Sequence, residues 1–179
     1  MNKLLVLVAG LPGVGKSTIS RMVSKYDGAT VVDVDDFKRV AVDLVLVKEQ
    51  IDPPELRWVY YQKALEHVFG LFDQGRLTVI MDEVFHLRSL RSKIEALAES
   101  RHVEVLWVEV RCPLDMVQAR LSSTQREEHL LSSEEALRMY HLFKEIFEPF
   151  PEGSENHVVI NNDGASGYGL INGILDKIY

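Results

Sequence analysis

The chain has 179 residues, of which 46% are hydrophobic and 26% charged, with a formal net charge of -7 from 27 acidic and 20 basic side chains. A chain this long buries about 70% of its unfolded surface, enough for one well-filled core, and the acidic balance counts against a broad electrostatic grip on nucleic acid or anionic membrane. Cys112 stands alone, which excludes an intramolecular disulfide, and the apolar run 4–9 is too short for a membrane span or a signal h-region. The expectation is a soluble, cytoplasmic protein of one domain, 1–179.

In chain order, the hydrophobic pattern predicts strands over 3–9, 29–34, 77–82, 103–110 and 157–161. Helices are predicted over 16–26, 36–49, 54–73, 88–100, 113–122, 133–147 and 167–178. The strands are near-continuous runs of Val, Ile and Leu, as expected when helices cover both faces of a sheet. Strands alternating with helices imply a parallel, doubly wound α/β sheet, whose ligands gather at the carboxyl ends of the strands. Pro54 suits the first turn of its helix, and Ser132 or Ser133 suits an N-cap. Trp58, Tyr61, Leu65, Val68 and Phe72 recur at helical spacing and read as core, with substrate stacking as the alternative.

The first strand runs into "GLPGVGKST". Gly10, Gly15, Lys16 and Ser17 satisfy G-x-x-x-x-G-K-[ST] between a strand and a helix, the context in which backbone amides curl round phosphate oxygens. Gly10, Leu11, Pro12, Gly13, Val14, Gly15, Lys16, Ser17 and Thr18 are therefore expected to bind a nucleoside triphosphate, with Lys16 on the β- and γ-phosphates and the Ser17 hydroxyl on Mg²⁺. No N-K-x-D guanine motif follows: the nearest stretch, "INND" at 160–163, lacks the lysine. ATP is the expected nucleotide, although the loop itself does not distinguish ATP from GTP.

The second strand ends "VVDVDDFKR". Alternation along a strand puts Asp33 and Asp35 on one face, where Asp35 could take the proton of an attacking hydroxyl or hold Mg²⁺ through water, and Asp36 is expected to cap the next helix. Asp33 is either a supporting group or a solvated one. The third strand ends "TVIMDEVFHLRSLR", a Walker B-like pattern with Asp82 near the Mg²⁺ shell. Glu83 beside it opens a second reading, an ATPase or nucleotide-dependent switch in which Glu83 positions the hydrolytic water. Arg88 and Arg91 are either substrate-gripping groups or ordinary surface arginines. Farther on, Arg120 and Arg126 flank a break between helices and could fold over the triphosphate as a lid, around 120–132. The six histidines show no metal-ligand spacing, and only His86 lies beside a strand end of interest.

These stretches together, "GLPGVGKST", "DVDDF", "VIMDE" and "RLSSTQRE", resemble the small P-loop kinases related to polynucleotide 5′-hydroxyl kinase, zeta toxins and chloramphenicol phosphotransferase, with an AAA-type ATP-binding domain. The resemblance implies a three-layer α/β/α P-loop NTPase fold with a five-stranded parallel sheet in the order 2-3-1-4-5. It also implies an acceptor-activating Asp at Asp35, lid arginines at Arg120 and Arg126, and a basic residue after the Asp at Lys38 or Arg39. The expected reaction is transfer of the γ-phosphoryl group to a hydroxyl of a small molecule, nucleoside or nucleotide, with the acceptor walled by 36–60 and 83–92. Charge counts against a polynucleotide acceptor, and "DEVFH" departs from the Gly-rich turn of shikimate kinases. The partners expected are the nucleoside triphosphate and a hydroxyl-bearing substrate, without a membrane. A third reading, nucleotide-regulated partner binding without turnover, is separated from both enzymes by a turnover assay.

Overall fold

In the first strand, β1 (Lys3–Ala9), Leu5 and Leu7 point to one side of the sheet, and Val6 and Val8 to the other. All four are fully buried, so the strand needs a helical layer on each face. The computed structural model describes residues 2–41, 51–123, 132–164 and 168–178, and supplies both layers. After β1 come α1 (Lys16–Asp27), β2 (Thr30–Asp33), α2 (Val34–Ala41), α3 (Pro54–Asp73), β3 (Thr78–Glu83) and α4 (Arg88–Ser100). The chain continues through β4 (Val103–Arg111), α5 (Leu114–Ser123), α6 (Ser133–Ile146), β5 (His157–Asn161), a short 3-10 turn (Tyr168–Leu170) and α7 (Asn172–Ile178).

The five strands form one parallel sheet in the order β2-β3-β1-β4-β5, as the resemblance implied. One face packs on α3 and α4 through Tyr61, Leu65, Val68, Phe72 and Ile94. The other packs on α1, α5, α6 and α7 through Ile19, Val117, Tyr140 and Ile174. The helical run of apolar residues in α3 is thus core, and Trp58 packs at its margin. At the start of α6 the Ser132 side chain accepts from the Glu135 amide while the Glu135 carboxylate takes the Ser132 amide, a capping box that fixes where the helix begins.

Three local expectations need correction. The second strand stops at Asp33, and α2 begins at Val34, so strand alternation never reaches Asp35. Asp33, rather than Asp36, acts as the capping side chain: its carboxylate accepts the Asp35 amide at 2.9 Å. A short acidic side chain at a strand end readily captures the amide two residues on, and that starts the helix early. Asp36 is left exposed, 3.8 Å from Arg39 one turn along. The last helix also starts later than expected, because the 3-10 turn occupies its first predicted turn. Residues 42–49 of the predicted helix 36–49 lie outside those described.

Ile80, in the central part of β3, has no exposed surface and belongs to the layer facing α1. Ile80→Ala is expected to lower unfolding free energy by about 2–5 kcal/mol, read from urea denaturation, because the crowded sheet cannot collapse onto the cavity.

Candidate active site

The phosphate loop is held in shape by its neighbours as much as by its own glycines. Gly10 has φ 151°, and a Cβ there would lie 2.5 Å from the Val110 carbonyl oxygen on β4. Gly15 has φ 100°, and its Cβ would fall 2.3 Å from Asn162 Nδ2. Neither position accepts another residue without moving backbone or a buried amide. Gly15 is also the N-cap of α1 and offers no side chain to the first-turn amides, which leaves those donors to an anion. Lys16 Nζ donates to the Leu11 carbonyl oxygen at 3.1 Å, folding over the loop. Asn162 Nδ2 donates to the Val14 carbonyl oxygen at 2.8 Å.

Parallel pairing brings the acidic strand ends to this loop. Ala9, the residue before Gly10, pairs with Glu83, and Asp33 pairs with Asp82. Asp82 is buried and accepts from Ser20 Oγ at 3.0 Å, with the Ser17 hydroxyl close by. Burial raises its pKa; Lys16 opposes the shift, Asp33 adds to it, and the two hydroxyls oppose it. A buried carboxylate beside the Ser17 hydroxyl is a hard-oxygen donor pair that fits Mg²⁺, which takes few protein ligands and completes its shell with phosphate and water. Among the described residues no group of three or more His, Cys, Asp or Glu side chains could hold a metal ion.

Asp35 stands in the first turn of α2, not on the strand. Its pKa is pushed up to about 7, by burial first and then by the charges of Glu83 and Asp33, against the pull of Lys38 and Lys16. Glu83 next to Asp82 behaves in the opposite way. Burial resists its ionisation, but Arg57, Lys38 and Lys16 outweigh burial and hold its carboxyl below the ordinary range. Two carboxyl groups at one rim are thus driven apart by environment.

The cause is a buried ionic network that the sequence did not announce. Arg57, from the second turn of α3, is 1% exposed; its Nη1 lies 3.2 Å from Glu83 Oε1 and its Nη2 3.8 Å from Asp52 Oδ2. Nε donates to the Asp52 carbonyl oxygen at 3.3 Å, and the guanidinium lies 5.0 Å from the centre of the Phe143 ring. Asp52 also takes Lys38 Nζ at 2.7 Å and the Tyr60 hydroxyl at 3.1 Å. Phe85, just beyond Glu83, has φ 47° and turns its ring back into the core between Tyr61 and Trp107. That strained residue ends the strand sharply, leaving the acids on the rim and the apolar chain below it.

The remaining candidates separate. Arg91 is a structural residue: it is buried, donates to the carbonyl oxygens of Phe85, Glu148 and Pro149, and stacks on Phe150 at 4.2 Å. Arg88 is exposed, and its amide donates to the Glu148 carboxylate. His86 is buried against Phe143; burial and then Arg57 push its pKa down to about 3, so it is neutral. Arg120 bridges the phosphate loop and β5: Nη1 is 3.3 Å from the Val14 carbonyl oxygen, and Nη2 is 3.1 Å from Asn162 Oδ1. Arg126 lies outside the described residues.

A family model described as an AAA domain matches residues 5–146. The chain belongs to this family. Among curated proteins it is 33% identical over 117 residues to uncharacterized proteins of Mycobacterium tuberculosis and Mycobacterium bovis. The match covers 60% of this chain, and the chain spans only 22% of the length of those relatives. Its fold is similar to an unliganded sugar kinase of Janibacter sp. (TM-score 0.73, 20% identity, 99% of this chain and 95% of the other). It is also similar to a gluconokinase of Sinorhizobium meliloti (0.66, 17%, 96% and 89%) and to the APS kinase CysC of Mycobacterium tuberculosis, solved with AMPPNP and APS (0.64, 15%, 99% and 98%). At these identities the likeness is one of fold, that of P-loop kinases. Among the described residues no helix is long and apolar enough to cross a membrane.

Gly15→Ala is expected to abolish nucleotide binding while the protein remains folded, read by calorimetric titration with ATP, because the new Cβ displaces Asn162 and distorts the loop. Asp35 yields a prediction of opposite sign for stability. Its folded-state pKa is raised from 3.8 to about 7, so the folded protein holds that proton more tightly than the unfolded chain. The resulting stability is complete below pH 4 and is lost as pH rises through 7. Asp35→Asn should therefore raise Tm at pH 8, by about 2–4 °C per kcal/mol recovered, and leave it nearly unchanged at pH 4.

Proposed function

We propose that this AAA-domain protein is an ATP-dependent kinase that transfers the γ-phosphoryl group of a nucleoside triphosphate to a hydroxyl of a small molecule, nucleoside or nucleotide. The observation that carries this reading is Asp35, a carboxyl pushed up to about 7 among Lys16, Lys38, Asp33 and Glu83 at the mouth of the phosphate loop. A general base works best when its pKa lies near the operating pH. The kinases among the fold's relatives support the same reaction class. The kinase unit is proposed to be the whole stretch 1–179, with the acceptor side over 36–60 and the lid around 120–132.

The loop amides and Lys16 hold the β- and γ-phosphates, and Ser17 and Asp82 are the residues that would hold Mg²⁺. Bound there, the ion would offset charge on the phosphate oxygens. Asp35 takes the proton of the acceptor hydroxyl as its oxygen approaches the γ-phosphorus, and the bond to the β–γ bridging oxygen breaks as the new one forms. Arg120, anchored beside Val14 and Asn162, and Arg126 are assigned to stabilising the charge of the transferred group. Most of the rate then comes from positioning and electrostatics.

The test follows label from γ-labelled ATP with Mg²⁺ onto D-glucose, D-gluconate, adenosine and a 5′-nucleotide, each compared with water alone. Label is expected on one acceptor class, with a rate that falls as pH drops through about 7. Asp35→Asn should slow transfer by about 10²–10⁴-fold and leave ATP affinity nearly unchanged. Free phosphate alone, indifferent to every acceptor and lost in Glu83→Gln, would replace this reading with an ATPase.

A further inference from the structure

An acidic pair at the end of the strand beside a phosphate loop raises a physical problem for a kinase, because water is always present as a competing acceptor. Glu83 pairs in register with Ala9, one residue before the loop, and its carboxylate is near enough to Lys16, the residue proposed to hold the γ-phosphate, for that lysine to favour its charged form. A carboxylate there with an accessible oxygen would orient water as readily as Asp35 orients an alcohol. The structure gives Glu83 another occupation. Arg57 Nη1 holds Oε1 at 3.2 Å, and only 11% of the Glu83 side chain is exposed.

Arg57 is itself fixed on every side. The Asp52 carbonyl oxygen takes Nε, the Asp52 carboxylate lies beside Nη2, and the Phe143 ring covers the guanidinium face. Lys38 from α2 holds the same Asp52 carboxylate oxygen at 2.7 Å, so the carboxylate beside Arg57 is itself anchored by a second buried cation. A planar guanidinium held in this way is a rigid clamp, unlike a lysine ammonium on a flexible stem.

We infer that Arg57 is a positioning residue that pins the Glu83 carboxylate away from water, so that the phosphoryl group passes to the acceptor activated by Asp35 and not to solvent. This rests on the kinase reading, and it assigns the clamp the task of suppressing hydrolysis. In the suppressed reaction a water oxygen would bond to the γ-phosphorus, the bond to the β–γ bridging oxygen would break to release ADP, and Glu83 would take the proton of the water.

The test reads Mg²⁺-ATP hydrolysis in water without any acceptor, and in parallel the fraction of label reaching an acceptor. Arg57→Met should raise hydrolysis about tenfold or more, a part of what a well-placed general base supplies. Arg57→Met combined with Glu83→Gln should bring hydrolysis back to the wild-type rate, and Arg57→Lys should fall in between. A folded Arg57→Met that binds ATP but hydrolyses it no faster would overturn the inference. If Arg57→Met does not fold, Glu83→Gln alone decides. Background hydrolysis that persists supports the clamp, whereas background hydrolysis that collapses means the carboxylate already serves water and the clamp idea is wrong. Failure of the kinase reading looks different: wild-type protein would transfer label to no acceptor, whatever Arg57 does to hydrolysis.

Discussion

Parallel pairing of β2, β3 and β1 is the constraint from which the site follows. Because the strands run the same way, their carboxyl ends share one rim, and register decides which side chains meet there. Ala9 beside Glu83 and Asp33 beside Asp82 put the start of the phosphate loop and the acidic strand ends at one level. The helices that cover both faces leave this rim as the place where polar side chains can converge on a ligand. A slip of one residue would turn Asp82 and Glu83 to opposite faces and break the site and the core together.

So many acids in a small, largely buried volume need compensation, and the compensation is unequal. Asp82 is served by hydroxyls and the nearby Lys16, and Glu83 and Asp52 share Arg57, with Lys38 completing Asp52. Asp35 feels Lys38 and Lys16, but their pull is outweighed by burial and two acidic neighbours. The network thus sets up a difference between carboxyl groups that are chemically alike, the usual physical basis for giving them different tasks. Removing either cation would not leave a neutral gap; it would leave a buried anion without its partner.

Much of the fold was legible because its signals are local and repeated. The phosphate loop has a sequence pattern with a geometric reason, the buried strands are continuous apolar runs, and α3 shows its core face at helical spacing. The α2 boundary was not legible, because a single hydrogen bond from Asp33 to the Asp35 amide decides it, and strand alternation carries no information about a side chain folding back on its own backbone. Arg57 was harder still. In "PPELRWVYY" it looks like any charged residue near a helix start, and only the packing of α3 against β3 turns it inward onto Glu83 and Asp52. Asn162 has the same character: it lies in a polar turn, and its value comes from contact with a loop 148 residues away.

That contact bears on how the nucleotide site is built. Val14 offers its carbonyl oxygen to both Asn162 and Arg120, and Asn162 in turn receives Arg120 through its side-chain oxygen. The two polar groups lock the loop from the β5 side, and Gly10 nests against β4 on the other. A loop braced in this way has its curvature before any phosphate arrives, so little ordering entropy remains to be spent on binding. The bracing also explains why glycine is needed at Gly15. The positive φ is one reason, and the other is that Asn162 already fills the space a side chain would take. Loop shape, helix start and fifth strand end are therefore one coupled unit, and the first-turn amides of α1 inherit their direction from a residue far along the chain.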